Sequence, residues 1–85
     1  MVSSIFVGVF TVLLRKYRWL EIAPRHRRDI PTIKNTRITV GDILEALANG
    51  WSITEVAENF RIPIEAVREA LRYALEVLNE LRGQG

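Results

Sequence analysis

The chain has 85 residues, 48% hydrophobic and 26% charged, with a formal net charge of +2 and no cysteine. That length makes one small domain with a modest core, excludes a multidomain architecture, and leaves apolar surface that a second copy would cover. Without cysteine there are no disulfides, thiolate metal sites or cysteine nucleophiles, which suits a reducing, cytoplasmic setting.

The charge is divided along the chain. Residues 1–40 hold eight Lys/Arg against two acids, and residues 41–85 hold four Arg against eight acids. A polyanion is therefore drawn to the N-terminal half rather than to the C-terminal one.

Residues 1–16 read as an apolar arm or strand built on Ile5, Phe6, Val7, Val9, Phe10, Val12, Leu13 and Leu14. The stretch is shorter than the ~20 residues a helix needs to cross a bilayer, and its charges follow the apolar run instead of preceding it as in a signal peptide. A buried strand, an interface arm and an extension outside the fold remain open, and no membrane role is expected. Tyr17–Ile22 alternates polar and apolar residues as a short strand, with Trp19 facing away from Leu20, and Ala23-Pro24 stops it. Arg25, His26, Arg27 and Arg28 then form a basic loop. Pro31–Val40 has the β-branched residues of a strand broken at Lys34-Asn35, where asparagine tolerates a left-handed turn.

From Thr39 the period becomes helical. Ile43, Leu44, Leu47 and Ala48 make one apolar face, Thr39 or Asp42 supplies the N-terminal cap, and Asn49-Gly50 ends the helix. Ser52 and Glu55 form a capping box for a second helix ending near Phe60, and Trp51 stands where a staple onto Val56 is expected. Pro63 suits the start of a third helix running to about Arg82, with residues 83–85 as a tail. Ile64, Val67, Leu71, Ala74, Leu78 and Leu81 recur in steps of three and four, a heptad seam widened by Ala70, Leu75 and Val77. One face of this helix then belongs to the core and the other to a partner, with Ile64, Leu71, Leu75, Leu78 and Leu81 as the candidate partner or dimer interface.

The second and third helices have the residue types of a helix-turn-helix. Ala57 is the small residue that lets the helices approach, Val56, Phe60, Ile62, Val67 and Ala70 are the shared wedge, and Arg61 takes the turn place where glycine is common. In a DNA-binding use, the early face of the third helix offers Glu65, Ala66, Arg68, Glu69 and Arg72 to the major groove. The two glutamates repel phosphate, and pairs such as Glu69 with Arg72 and Arg72 with Glu76 also read as ordinary helix-surface contacts. A second set, Arg25, Arg27, Arg28, Lys34 and Arg37, either grips phosphate or serves as a solvated cluster. Candidate DNA-binding residues are thus Arg25, Arg27, Arg28, Lys34, Arg37, Arg68 and Arg72. His26 is the sole histidine, and the carboxylates have no partner base or phosphate loop, so no enzyme, metal site or cofactor is expected.

Residues Pro31–Tyr73 resemble the domain of unknown function 433 family. Pro31, Ile33, Thr36-Arg37-Ile38, Val40, Ile43-Leu44, Leu47, Gly50-Trp51-Ser52 and Val67 stand at the family's motif places, while Arg28-Asp29-Ile30 and Asn35 replace glycines of its pattern. The resemblance implies a mainly α fold, a homeodomain-like tri-helical helix-turn-helix bundle over residues 17–82 with a short N-terminal β element. It also implies a dimeric antitoxin that binds operator DNA and a PIN-like nuclease toxin. The residues alone equally allow a protein-interaction or oligomerisation module that binds no nucleic acid.

Overall fold

The computed structural model describes residues 14–22 and 30–84, so the N-terminal arm before Leu14 and the loop arginines Arg25, Arg27 and Arg28 lie outside the described residues. The chain is mainly helical. Two short antiparallel strands, β1 (Leu20–Ile22) and β2 (Pro31–Ile33), precede α1 (Val40–Ala48), α2 (Ile53–Phe60) and α3 (Ile64–Gln84).

The strands pair in the register Leu20 to Ile33, Glu21 to Thr32 and Ile22 to Pro31. β1 is shorter than the alternation over Tyr17–Ile22 predicts. The Arg18 and Trp19 amides donate to the Glu69 carboxylate, at 3.2 and 2.7 Å, and Tyr17 turns inward with its ring edge-on to Tyr73. The chain after β2 reverses at Asn35, whose φ of 63° is the left-handed conformation expected of it. Thr36 holds the turn, its hydroxyl donating to the Ile33 carbonyl and accepting from the Ile38 amide, and Thr39 returns to bridge Thr32.

Both short helices start on capping boxes. Thr39 accepts from the Asp42 amide while Asp42 accepts from the Thr39 amide, and Ser52 and Glu55 repeat the exchange. In α1 the buried face is Val40, Ile43 and Ala46, with Leu44 and Leu47 half-buried. Ala48, read as part of that face, is exposed, because the helix is rotated to set Val40 and Ala46 inward. Trp51 lies beside Phe60, with ring centroids 6.0 Å apart, and Val56 is fully buried.

The core gathers Ile33, Ile43, Val56, Ala66, Val67 and Ala70, all 1% exposed or less, with Leu14, Tyr17, Leu20 and Tyr73 closing its N-terminal side. Each large side chain sealed there contributes roughly 1.5–3 kcal/mol. Truncating Ile43→Ala should cost about 2–5 kcal/mol in a urea titration. Burial pushes the Tyr73 phenol above its ordinary value of 10.0. The fold thus favours its neutral form, and this contribution is whole below pH 10 and is lost as pH rises through the raised value. Denaturation midpoints measured across alkaline pH should therefore fall less steeply for Tyr73→Phe than for the wild type.

Candidate functional site

The α2–turn–α3 unit has helix-turn-helix geometry, and each part follows from a residue. Arg61 ends α2 in the left-handed conformation, φ 58°, and the Ile62 amide returns to the Ala57 carbonyl at 3.0 Å. The Pro63 carbonyl accepts from the Ala66 and Val67 amides, opening α3 one residue later. Ala57, Ala66 and Ala70 are buried between the helices, so small side chains set the close approach. Arg61→Gly, at a place that strains a residue with a Cβ, should raise stability by about 0.5–1 kcal/mol, seen as a Tm higher by several degrees.

The outward face of α3 differs from the sequence reading at two positions. Ala66, read as available to bases, is fully buried. Glu69 is half-buried and spends both carboxylate oxygens on the Arg18 and Trp19 amides, and Glu76 pairs with Lys16, so neither makes the surface pair with Arg72 that spacing suggests. What remains exposed over the first turns is Ile64, Glu65, Arg68 and Arg72, two cations against one anion.

Glu69 also determines what lies beside that face. It holds Trp19, whose carbonyl accepts from the Lys34 amide at 2.8 Å, and the Asn35 amide donates to Glu21 at 3.2 Å. The β-turn carrying exposed Lys34 and Arg37 is therefore tied through Trp19, just before β1, to Glu69 in the second turn of α3. Exposed Arg18, its guanidinium 5.8 Å from the Trp19 ring centroid, joins the same edge. Sequence reading did not select Arg18, since a carboxylate 51 residues away that captures its amide leaves no periodic signal. Arg72 borders a polar cleft with Lys16, Tyr17, Glu69 and Glu76, in which Tyr17 Oη and Glu76 Oε1 are buried without a partner among the described residues.

The opposite flank of α3 is apolar. Val40, Leu44, Tyr73, Val77 and Leu78 line a groove of about 520 Å³ between α1 and α3. Leu75, Leu78 and Leu81 are 57%, 62% and 45% exposed and Ile64 is 38% exposed, whereas Leu71 is half-buried; the heptad seam thus splits between core and surface. Helix α3 also runs through Gly83 to Gln84, past the end expected at Arg82. Among the described residues no group of three His, Cys, Asp or Glu side chains is placed to hold a metal ion, and no helix is long and apolar enough to cross a membrane.

The sequence profile of a family described as Protein of unknown function (DUF433) matches residues 21–74, well over half of the chain. The chain belongs to the DUF433 family. The DUF433 match begins at Glu21, in β1, and ends at Ala74 in mid-α3, so it takes in nearly all of the β element, α1, α2, the turn and the first half of α3. No curated protein and no solved structure matches the chain.

Replacing Glu69 by Ala removes a charged acceptor from two amides and should cost about 1.5–3 kcal/mol, with Gln recovering part of the loss through its single carbonyl. Hydrogen exchange at the Arg18 and Trp19 amides should quicken in Glu69→Ala ahead of the α1 and α2 amides.

Proposed function

We propose that this DUF433 chain is a cytoplasmic, DNA-binding regulator of the antitoxin type, a homodimer that binds operator DNA and a PIN-like nuclease toxin and catalyses nothing itself. In this reading the N-terminal part of α3 enters the major groove. Arg68 and Arg72 meet bases or phosphate there, while Lys34, Arg37 and Arg18 hold the backbone alongside, joined by the loop arginines Arg25, Arg27 and Arg28. The toxin is met by the apolar surface of α3, from exposed Ile64 past half-buried Leu71 to exposed Leu75.

One observation carries the DNA half. The Glu69 carboxylate, the charge that would have repelled phosphate in the middle of the α3 face, is turned to backbone amides, and the exposed residues around it are mostly cationic. The toxin half is supported by the exposed leucines, which a lone small domain has no reason to keep uncovered.

The exposure of Leu75, Leu78 and Leu81 also favours a second reading, a protein-interaction or oligomerisation module whose helix-turn-helix is only scaffold. A mobility-shift titration against the DNA upstream of the chain's own gene, repeated across salt concentrations, separates the two. Binding should weaken linearly in log salt, and Arg68→Ala or Arg72→Ala should each weaken it, lowering the salt slope by about 1 where the lost contact is to phosphate. No shift at low salt, with or without the toxin, leaves the second reading in place and ends the first.

A further inference from the structure

We propose that the cleft between α3 and the segment entering β1 binds a small zwitterion, a free α-amino acid with an apolar side chain, its carboxylate on Arg72 and its ammonium on Glu76 and Tyr17. The site is additional to the function proposed above and does not depend on it, although both draw on Arg72.

Helical periodicity builds one wall. Glu69, Arg72, Glu76 and Asn79 recur along α3 in steps of three, four and three, so a single polar stripe borders the cleft. Lys16 and Tyr17 form the other wall, and the space between is about 510 Å³. Much of the charge there is already spent: Glu69 accepts from the Arg18 and Trp19 amides with its two oxygens, and Lys16 pairs with Oε2 of Glu76.

What is left over has a definite chemistry. Glu76 Oε1 and Tyr17 Oη are buried without a hydrogen-bond partner among the described residues, and Tyr17 as a whole is 6% exposed. A buried oxygen left unpaired bears the full cost of leaving water, and both of these can accept from a donor. Arg72 borders the same cleft, is exposed and makes no ion pair among the described residues, so it is available to an anion.

Charge balance selects the ligand class. Lys16 and Arg72 stand against Glu69 and Glu76, so phosphate would meet two carboxylates and a simple amine would meet two cations. A ligand carrying both signs is matched at both ends. Arg72 and Glu76 are one helical turn apart, roughly 5–6 Å between Cβ atoms, yet Glu76 is turned to Lys16 instead of to Arg72. An α-amino acid carries its ammonium and carboxylate on one carbon and bridges that step, with Leu75 beside it for an apolar side chain. The cleft also exceeds the ~30 Å³ share of a single water many times over.

An amide-detected NMR titration of the full chain tests the assignment, with L-leucine as the probe and isocaproate, isoamylamine and inorganic phosphate as the controls that carry one sign of charge. L-Leucine should move the Tyr17, Arg72 and Glu76 signals with a Kd of about 1 mM or tighter, and each control should bind at least about tenfold more weakly. Tyr17→Phe keeps the ring against Tyr73 and Arg72→Gln changes an exposed side chain, so both should melt like the wild type while losing about tenfold in leucine affinity. In Glu76→Gln, which keeps the shape and removes the charge, leucine should lose its advantage over isocaproate. Signals unmoved by L-leucine at about 20 mM overturn the inference and leave Tyr17 and Glu76 to bound water. So does phosphate or isocaproate binding the wild type as tightly as leucine, or a leucine affinity indifferent to both Tyr17→Phe and Arg72→Gln. The titration contains neither DNA nor toxin, so its failure leaves the function proposed above standing, and a failed mobility shift leaves this site standing.

Discussion

The carboxylate of Glu69 is the joint on which the arrangement turns. It sits on α3 within the helix-turn-helix, yet its partners are the backbone amides of Arg18 and Trp19, contributed by the segment leading into β1. Hydrogen bonds to an ionised acceptor are stronger than neutral ones, and a half-buried site shields them from competing water. Through Trp19 the same joint reaches Lys34 and hence the turn ahead of α1. Without it, the β element would be held to the helices mainly by the apolar contacts of Leu14, Tyr17 and Leu20.

The helices were legible in the sequence because their signals are local. Thr39 with Asp42 and Ser52 with Glu55 each act across three residues, Asn35 and Arg61 stand at turns that need positive φ, and Ala57 and Ala70 are small where helices must approach. The tri-helical reading rested on those features and the family resemblance on the Thr36-Arg37-Ile38 and Gly50-Trp51-Ser52 motifs and their spacing, and the fold and the DUF433 match agree with both. What spacing could not convey is direction. Glu69 lies three residues from Arg72 and seven from Glu76, which suggests a surface ladder, but two of the three are turned toward the N-terminal segment. Ala66 is small enough for either surface or core and is fully buried, and the pairing of Trp51 with Phe60, nine residues away, left no periodic signal. The heptad seam and the residues that widen it likewise did not show that Val67 faces in while Leu75, Leu78 and Leu81 face out.

Helix α3 thus has three sides with separate chemistry. Alanines, Val67 and Tyr73 form the inner side; Glu69 and Glu76 bind the N-terminal segment; and the remaining arc passes from Arg68 and Arg72 into exposed leucines. A short domain that commits so much of one helix to the outside has little core left to spare, which makes burial between copies or against a partner a matter of stability as well as of function.

The paired capping boxes bear on how the domain assembles in time. An isolated helix of eight or nine residues is marginal because its first turn must be ordered for very little return. A reciprocal cap satisfies two orphan amides at that first turn, so α1 and α2 can form transiently from residues near in sequence before any long-range contact exists. The β element has no such head start, since its anchor on α3 lies 50 residues downstream of Trp19. The natural order of events is therefore helices first and strand last, with closure of Glu69 onto the Arg18 and Trp19 amides as the step that completes the fold.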